Sequence, residues 1–558
     1  MKMKDRNAQL KSALGAMASK ETVLEVASIP KEDTRNRQGY KAYSLDDELR
    51  LVTMLNTLKI TPQFYRTESQ TMAELRDLIE RIASKDPYFV AQAIAYSRCL
   101  GEGMRSINHL AAALVSPFIA GQEYAKRFYG LFDKKNGKGG CIFRPDDMTE
   151  IKDVYSTLTK SVLSNAMKKG FASALENLDT YSLAKYRDTV IDIANLSHPN
   201  PSKSKATVKM NGEVINVLNA IMNGVTISAD TWENANSEAG REVAKALKDG
   251  KITKAEADTI LAEAKADNWE SLLKDGRLGV MAALRNIRNI LKNPRKGIIE
   301  DWCKLITNPE IVHKALILPC HFDLAYEVVM NEFANVDYSP KVQQALMDGY
   351  VAAIPNLKEA LPGRTAVIVD CSGSMGSYGI TDGKTAPKDG YGYYGGYRAS
   401  RDTNSCAYKA GLIAATIAKA TGADIIKFGS DAKRFSYNKN ENVFSLARKI
   451  GTSEYGCTYP SRAFDLIRQE KSVYDRIIFI SDNEVNSHNL TSDSYRKYIH
   501  DVCSPYIYCV DLAAYGTTPL KSDKVSYYYG YGSMLYEDIA AQEFNAAKHI
   551  DKIRQYVI

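Results

Sequence analysis

The chain has 558 residues, of which 45% are apolar and 25% charged, and its formal net charge is +7. A chain of this length exceeds what one hydrophobic core usually organises, so two or more domains are expected, and the ordinary globular composition excludes gross disorder. The mild positive charge permits a nucleic-acid partner without requiring one, because a basic-leaning soluble protein has the same balance.

The N-terminal residues and the cysteines bear on the cellular compartment. The charged start Met1–Arg6 is not followed by a long apolar run, and no stretch reaches the roughly 18 apolar residues that a membrane span needs. The nine cysteines are an odd number without a Cys-x-x-Cys pair, which is typical of free thiols in a reducing compartment. We therefore expect a soluble, cytoplasmic protein.

The first two thirds of the chain predict helices. Residues 1 to about 45 are polar and predict an arm with a short docking segment at its end. From Leu49 to about Ala360 apolar residues recur at three- and four-residue spacing, most clearly in Thr71–Ile82, Tyr88–Arg98, Ile107–Ile119, Arg277–Leu291 and Lys341–Ala353. The polar stretches Lys134–Gly140 and His198–Gly212 predict loops. So many helices suggest a stack of helix pairs, with an irregular bundle as the alternative because no fixed-period repeat is visible.

After Leu361–Gly363 the pattern changes to strands that alternate with helices. The predicted strands are 365–369, 424–428, 476–480 and 506–511, and the predicted helices are 410–420, 461–469 and 493–502. This alternation predicts a mainly parallel sheet covered on both faces, a doubly wound α/β domain. The predicted domains are a helical one at 1–358 and an α/β one at 359–558.

Oxygen-bearing side chains follow the first of these strands. Asp370, Ser372 and Ser374 form one tight loop, and two further loops should bring the Thr458 hydroxyl and the Asp482 carboxylate to the same edge of the sheet. Ligands bind at the carboxyl ends of strands in open α/β sheets. Hard cations such as Mg²⁺ prefer oxygen ligands, so the five residues predict a divalent metal site that leaves a coordination position for an acidic ligand group.

This pattern of Asp-x-Ser-x-Ser, then Thr, then Asp resembles the metal-ion-dependent adhesion site of von Willebrand factor A domains. A retained fold that holds no metal is the alternative. No nucleophile or base stands beside the loop, so catalysis is not expected, and we interpret Glu484 as a structural carboxylate rather than the partner of Asp482 in an acid pair. Tyrosines among glycines between 376 and 405 predict an inserted loop or, alternatively, a base-stacking surface, and the run Tyr527–Tyr531 predicts a loop rim.

Short motifs in the helical region resemble, in order, those of the TROVE domain of Ro 60 kDa autoantigen proteins. They are Gly39–Tyr43, Met167–Gly170, Lys185–Arg187 with Leu196–Pro199, Trp269–Leu273, Ala282–Asn286, and Lys314–Ala315 followed by Pro319 and His321. The resemblance covers nearly the whole chain and implies a ring of HEAT-like helical repeats closed by the A-type domain. It further implies a non-enzymatic, monomeric RNA-binding scaffold. Such a protein binds small noncoding Y RNA outside the ring and RNA 3′ ends in the central hole, and tethers an exoribonuclease through the RNA for quality control or degradation.

Basic residues within these motifs are the candidates for RNA contact: Lys168, Lys169, Lys185, Arg187, His198 and Arg285. Cations on a ring wall attract phosphates without reading sequence. The alternatives are a solvated helix face for the lysines and arginines, a turn cap for His198, and a carboxylate partner for Arg285. The chain departs from the family pattern at residues 202–265, which are expanded and include a charged helix near Lys254–Ala266. A protein–protein adaptor that uses the metal site, and a metal-dependent hydrolase, are the rival functions.

Overall fold

The structure is a computed structural model, and it describes two compact units. The described residues are 29–58, 65–101, 104–210, 212–225, 251–292, 297–315, 320–353, 361–376, 405–452, 456–530 and 549–558, with a few short pieces between these ranges. One unit comprises residues 1–53 and 354–552, and the other comprises residues 54–353 and 553–558. Helix α1 (Asp47–Thr57) runs across the first boundary in the sequence. No helix in the described part of the chain is long and apolar enough to cross a membrane.

The unit of residues 54–353 is mainly helical. Its helices are α2 (Glu68–Ala83), α3 (Pro87–Cys99), α4 (Ser106–Leu114), α5 (Ser116–Ile119), α6 (Ala125–Phe128), α7 (Pro145–Thr159), α8 (Asn165–Asn177), α9 (Thr180–Lys185), α10 (Arg187–Ser197), α11 (Val217–Met222), α12 (Lys254–Lys274), α13 (Val280–Arg285), α14 (Ile287–Lys292), α15 (Ile298–Thr307), α16 (Pro309–Lys314), α17 (Cys320–Glu332) and α18 (Ser339–Ala352). The predicted helical character of this region is confirmed.

Helix α2 shows how local sequence sets these elements. Thr67 and Gln70 form a capping box, in which each side chain accepts a hydrogen bond from the other residue's backbone N–H. Leu75, Leu78 and Ile82 recur at three- and four-residue spacing and are buried on one face. The periodicity that predicted this helix is therefore the periodicity of its buried face.

Two predicted helices are each divided into two. The stretch 107–119 breaks at Val115, just before a proline at the start of α5, and proline lacks the N–H that would continue the first helix. The stretch 277–291 breaks at Asn286, whose side-chain amide donates to the Ala282 carbonyl at 3.0 Å. Such local side-chain bonds favour helix ends over helix interiors.

The two predicted loops of this unit contain β-hairpins, which corrects the prediction. In the first, β3 (Phe132–Asp133) pairs with β4 (Lys138–Gly139). The second begins with a 3-10 turn at Pro201–Lys203, and its β5 (Thr207–Met210) pairs with β6 (Glu213–Asn216). The polar, proline-containing composition of the second segment indicated a loop. Backbone pairing between its two strands orders the segment instead, and composition does not reveal such pairing.

A buried ion cluster joins three helices of the helical unit. Arg98 on α3 donates to both carboxylate oxygens of Asp147 on α7 at 2.7 and 2.9 Å, and Nε2 of His109 on α4 lies 2.9 Å from Asp147 Oδ1. Burial alone would raise the pKa of Asp147. The hydrogen bond with His109 and the charge of Arg98 outweigh burial and hold this pKa well below its usual range.

The other unit contains a six-stranded sheet in the order β13-β11-β10-β7-β8-β9, parallel except for β9. Its strands are β7 (Thr365–Asp370), β8 (Asp424–Phe428), β9 (Ala432–Phe435), β10 (Arg476–Ser481), β11 (Tyr506–Asp511) and β13 (Val525–Tyr529). Its helices are α19 (Cys406–Thr421), α20 (Val443–Ile450), α21 (Ser461–Gln469) and α22 (Thr491–Asp501), and α23 (His549–Arg554) follows near the C-terminus.

Helices cover both faces of this sheet. Ala366 and Ile368 of β7 pack with Phe464 of α21 and Tyr495 of α22 in one buried cluster. Helix α19 lies against β7, β8 and β10, and every residue of β7 is buried. This is the mixed, mainly parallel α/β domain that the sequence predicted.

The N-terminal segment belongs to this unit and not to a helical domain beginning at residue 1. Strand β1 (Thr34–Arg35) pairs with β2 (Lys41–Ser44), and β2 pairs in turn with β12 (Thr517–Thr518). Tyr43 is fully buried, and its hydroxyl donates to the Pro30 carbonyl at 2.9 Å. Backbone pairing with β12 therefore assigns this segment to the α/β unit.

Glycine 170 allows α8 to approach the chain at α6 closely. A Cβ at this position would lie 2.5 Å from Tyr129 Cβ and 2.8 Å from the Lys126 carbonyl oxygen. Because backbone cannot move aside as a side-chain tip can, we expect Gly170→Ala to lower the free energy of unfolding by about 1–3 kcal/mol. Urea denaturation measures this loss. Ser173→Ala on the same helix is the control, with an expected change within about 0.5 kcal/mol, and equal midpoints for the two variants would contradict the close approach.

Candidate functional site

Three of the predicted metal ligands lie in one loop at the carboxyl end of β7. Asp370 ends the strand, and its Oδ1 accepts a hydrogen bond from the backbone N–H of Ser372 at 2.9 Å. The hydroxyl oxygens of Ser372 and Ser374 lie 3.4 Å apart, across the start of a 3-10 turn at Gly373–Met375. The loop therefore gathers one carboxylate and two hydroxyls.

The other two predicted ligands come from loops that hydrogen bonds join to this end of the sheet. Asp482 follows β10, the parallel neighbour of β7, and the Ser481 hydroxyl donates to Asp370 Oδ2 at 2.6 Å. Thr458 is held to the Asp482 loop, because its backbone N–H donates to Asn486 Oδ1 at 2.6 Å and its carbonyl accepts from Asn486 at 3.3 Å. The sequence analysis assigned no role to Ser481 or to Asn486. The position of Ser481 at a strand end could have suggested its role, whereas no sequence signal pointed to Asn486.

Two buried carboxylates, those of Asp370 and Asp482, influence each other at this site. Burial raises the pKa of Asp370 to about 6, and burial together with the charge of Asp370 raises the pKa of Asp482 well above its usual range. Oδ2 of Asp482 is buried and accepts no hydrogen bond from the described residues. A cation would supply the opposite charge to both carboxylates and a partner for Oδ2 of Asp482.

The donor set fits a hard divalent cation. Carboxylate and hydroxyl oxygens suit Mg²⁺, which keeps part of its water shell. No group of three or more His, Cys, Asp or Glu side chains within the described ranges has the arrangement of a metal site. The fit therefore depends on the hydroxyls of Ser372, Ser374 and Thr458 as much as on the two carboxylates.

Glu484 is held by the N-terminal segment. Its Oε2 accepts the backbone N–H of Arg37 at 3.0 Å, and Asn36 Nδ2 donates to the neighbouring Val485 carbonyl at 2.5 Å. Burial raises the pKa of Glu484 to about 7, although the charge and backbone N–H of Arg37 oppose that rise. These contacts support a structural role for Glu484.

Five of the six candidate RNA-contacting residues lie on consecutive helices. Lys168 is half-buried and Lys169 exposed on α8, Lys185 is exposed at the end of α9, and Arg187 is half-buried at the start of α10. Helices α8 and α10 pack against each other. His198 ends α10 in the left-handed conformation (φ 51°), so its backbone caps the helix while its side chain is exposed.

Comparison with known proteins identifies the architecture. No protein-family model matches the chain, and no curated protein matches it. The crystal structure of the Deinococcus radiodurans Ro (Rsr) protein does match, with a TM-score of 0.54 at 15% sequence identity, over 90% of this chain and 100% of that one. This chain has a Ro-like fold. Because the match covers 90% of the residues, the Ro-like fold includes most of both units.

Within the Ro-like fold, Arg285 lies on a different helix from the other candidates. It is exposed at the end of α13, which packs with α14, α15 and α17. No carboxylate in the described part of the chain pairs with it. The structure therefore groups five of the predicted RNA residues and separates the sixth.

The predictions for the two tyrosine-rich segments of the sequence have different outcomes. Residues 377–404, which carry the predicted Tyr/Gly insertion, lie outside the described residues. The run at 527–531 is not a loop rim, because most of it forms the edge strand β13, in which Tyr528 and Tyr529 are buried. Burial of the consecutive Tyr528 and Tyr529 in the edge strand accounts for part of this second run.

The free cysteines of the Ro-like fold match the expectation from sequence where they are described. Eight are free thiols, and five of them are buried: Cys99, Cys141, Cys303, Cys371 and Cys509. Burial raises the pKa of the Cys99, Cys141, Cys303 and Cys509 thiols, to about 11 for Cys303. They are therefore unreactive core residues near neutral pH.

Proposed function

We propose that this protein is an RNA-binding scaffold of the Ro type. The observation that carries the proposal is the Ro-like fold over 90% of the chain. The exposed cations Lys169 and Lys185, with the neighbouring Arg187 and His198, support it because they lie on packed, consecutive helices. Such cations hold phosphates in place and leave sequence recognition to other contacts.

The RNA ligands and the ring belong to the same proposal. A small structured noncoding RNA similar to Y RNA would bind the outer face of a closed ring of HEAT-like repeats. Single-stranded 3′ ends of structured or misfolded RNA would enter its central hole. The protein would act in the cytoplasm as a monomer within a ribonucleoprotein, without enzymatic activity, and tether an exoribonuclease through the bound RNA.

The α/β unit would contribute a metal. Asp370, Ser372, Ser374, Thr458 and Asp482 would hold Mg²⁺, which supplies a positive charge and a coordination position for an acidic group of a ligand. Asp370 and Asp482 would provide the neutralising charge, and the hydroxyls would complete the oxygen set. The hydrogen bond that Ser481 donates to Asp370 and the one that Asn486 Oδ1 accepts from the Thr458 N–H orient the loops that carry these residues.

The double variant Lys185→Ala/Arg187→Ala tests the RNA surface. Removal of two phosphate contacts should weaken RNA binding and reduce the slope of log affinity against log salt by about 1.4–1.8, while circular dichroism stays unchanged. Fluorescence anisotropy over a salt series measures both quantities. The matched control Lys433→Ala/Lys439→Ala removes two exposed lysines of the α/β unit and should leave the slope unchanged. Identical slopes for wild type and the Lys185/Arg187 variant would refute the assignment of this surface.

A protein–protein adaptor is the second candidate function. The buried, unpaired Oδ2 of Asp482 favours it, because a site built to hold a cation can recruit the carboxylate of a protein partner. The helical unit would then be a passive platform. An adaptor of this kind would lack the salt-dependent RNA affinity that the first proposal requires.

A further inference from the structure

Tyr181 is an exposed aromatic residue on α9 to which no role has been assigned. Its exposed fraction is 49%, although tyrosine usually buries most of its ring. The ammonium of Lys185, one turn later, lies 3.3 Å from the Tyr181 hydroxyl and 5.5 Å from the ring centre. The ammonium therefore lies near the hydroxyl end of the ring, and about half of the Tyr181 side chain stays exposed.

The β5–β6 hairpin begins next to this tyrosine. The Thr180 hydroxyl donates to the Thr207 carbonyl at 3.2 Å, which joins the start of α9 to the first residue of β5. Thr207 and Lys209 share one side of the strand, because side chains alternate along β-structure. Both are exposed, as are Lys203 and Lys205 just before the strand.

The segment that carries these lysines is well ordered. Asn216 Nδ2 donates to the carbonyls of Pro201 and Ser204, both at 3.0 Å, and the Val217 N–H donates to the Ala206 carbonyl at 3.0 Å. The lysines therefore project from a fixed backbone that is bonded to α9. Of the nearby acids, Asp179 is engaged as the N-cap of α9.

We propose that Tyr181 stacks on a base of single-stranded RNA while Lys185, Lys205 and Lys209 contact its phosphates. The inference rests on the proposed RNA-binding function and names residues and a strand type for it. An exposed aromatic side chain next to exposed lysines is an arrangement that binds single strands, because every base has a face for stacking and every nucleotide has a phosphate.

The two kinds of contact predict different salt behaviour. Tyr181→Ala should weaken binding about 5- to 150-fold at every salt concentration without a change in slope, since stacking carries no charge. Tyr181→Phe should bind like the wild type because the ring is kept. Lys205→Ala/Lys209→Ala should instead lower the salt slope by about 1.4, the value for two phosphates of a single strand.

The experiment measures the anisotropy of a labelled oligouridylate of about 12 nucleotides with the full chain, over a salt series. Tyr506→Ala is the matched control, because Tyr506 is 52% exposed and has the Lys524 ammonium 5.6 Å from its ring centre in the α/β unit. The expected result is that, among the tyrosine variants, Tyr181→Ala alone binds the oligouridylate more weakly than the wild type. Wild-type binding with an unaffected Tyr181→Ala would overturn this inference and leave the proposed function standing. No binding by the wild type to this RNA or to a structured RNA would overturn both.

Discussion

Asp370→Ala is expected to reduce Mg²⁺ affinity by at least about 100-fold. Loss of a residue that only supports a metal ligand already costs up to about 100-fold, and loss of a ligand should cost no less. The Asp370 carboxylate is buried, and it accepts hydrogen bonds from the backbone N–H of Ser372 and from the Ser481 hydroxyl. No neighbouring group can therefore replace it. Isothermal titration with Mg²⁺ measures the loss. RNA affinity should stay close to that of the wild type, because the candidate RNA residues all lie in the helical unit.

A matched control lies in the same sheet. Asp424 begins β8 and is partly exposed beside Arg434, so Asp424→Asn should leave Mg²⁺ binding unchanged. If Asp370→Ala abolished RNA binding in a folded protein, the metal would itself be a ligand of the RNA and the two units would not divide the tasks as proposed. Mg²⁺ binding equal to that of the wild type would remove the metal site from the account.

Asp147→Asn is expected to lower the free energy of unfolding by about 3–5 kcal/mol, because it leaves the buried Arg98 guanidinium without its counter-charge. Arg98 is 5% exposed, and Asp147 also accepts the backbone N–H groups of Phe143 and Arg144 at 2.9 Å. Chemical denaturation at neutral pH measures the effect. The neighbouring Asp146→Asn is the control: its pairing with Arg105 is partly exposed, so about 1 kcal/mol or less is expected.

The pH dependence of this cluster has a definite sign. The pKa of Asp147 is lower in the folded protein than in the unfolded chain, so its stabilising contribution is fully present above about pH 4 and is lost as the pH falls through the folded value. The stability difference between wild type and Asp147→Asn should therefore shrink in acid. A difference that stays constant from pH 7 to pH 3 would contradict the charged pair.

Elements defined by local pattern could be predicted from the sequence. Strands β8 and β11 and helix α21 have the predicted bounds, because continuous apolar runs and helical periodicity report burial directly. The position of the proposed metal loop could be predicted for the same reason, since Asp370 and Asp482 each follow such a run. Residues at strand ends keep a fixed place relative to the buried strand.

Features that depend on distant partners could not be predicted. The pairing of Tyr43 with Thr518 joins residues from the two ends of the chain, and no local pattern specifies it. The antiparallel edge strand β9 and the β5–β6 hairpin could not be predicted either, because their polar sequences are also typical of loops. Arg98 and Asp147 are types that are usually solvated, and only the fold brings them together in the core.

RNA affinity of the purified full chain, measured over about 50–200 mM salt with a structured RNA that carries a single-stranded 3′ tail, is the most direct measurement of whether this Ro-like protein is an RNA scaffold. We expect clear binding at the lowest salt and a linear fall of log affinity with log salt, more than about tenfold over the range for four or more phosphate contacts. Absence of binding at the lowest salt, or an affinity that salt does not change, would contradict the proposed RNA-binding function.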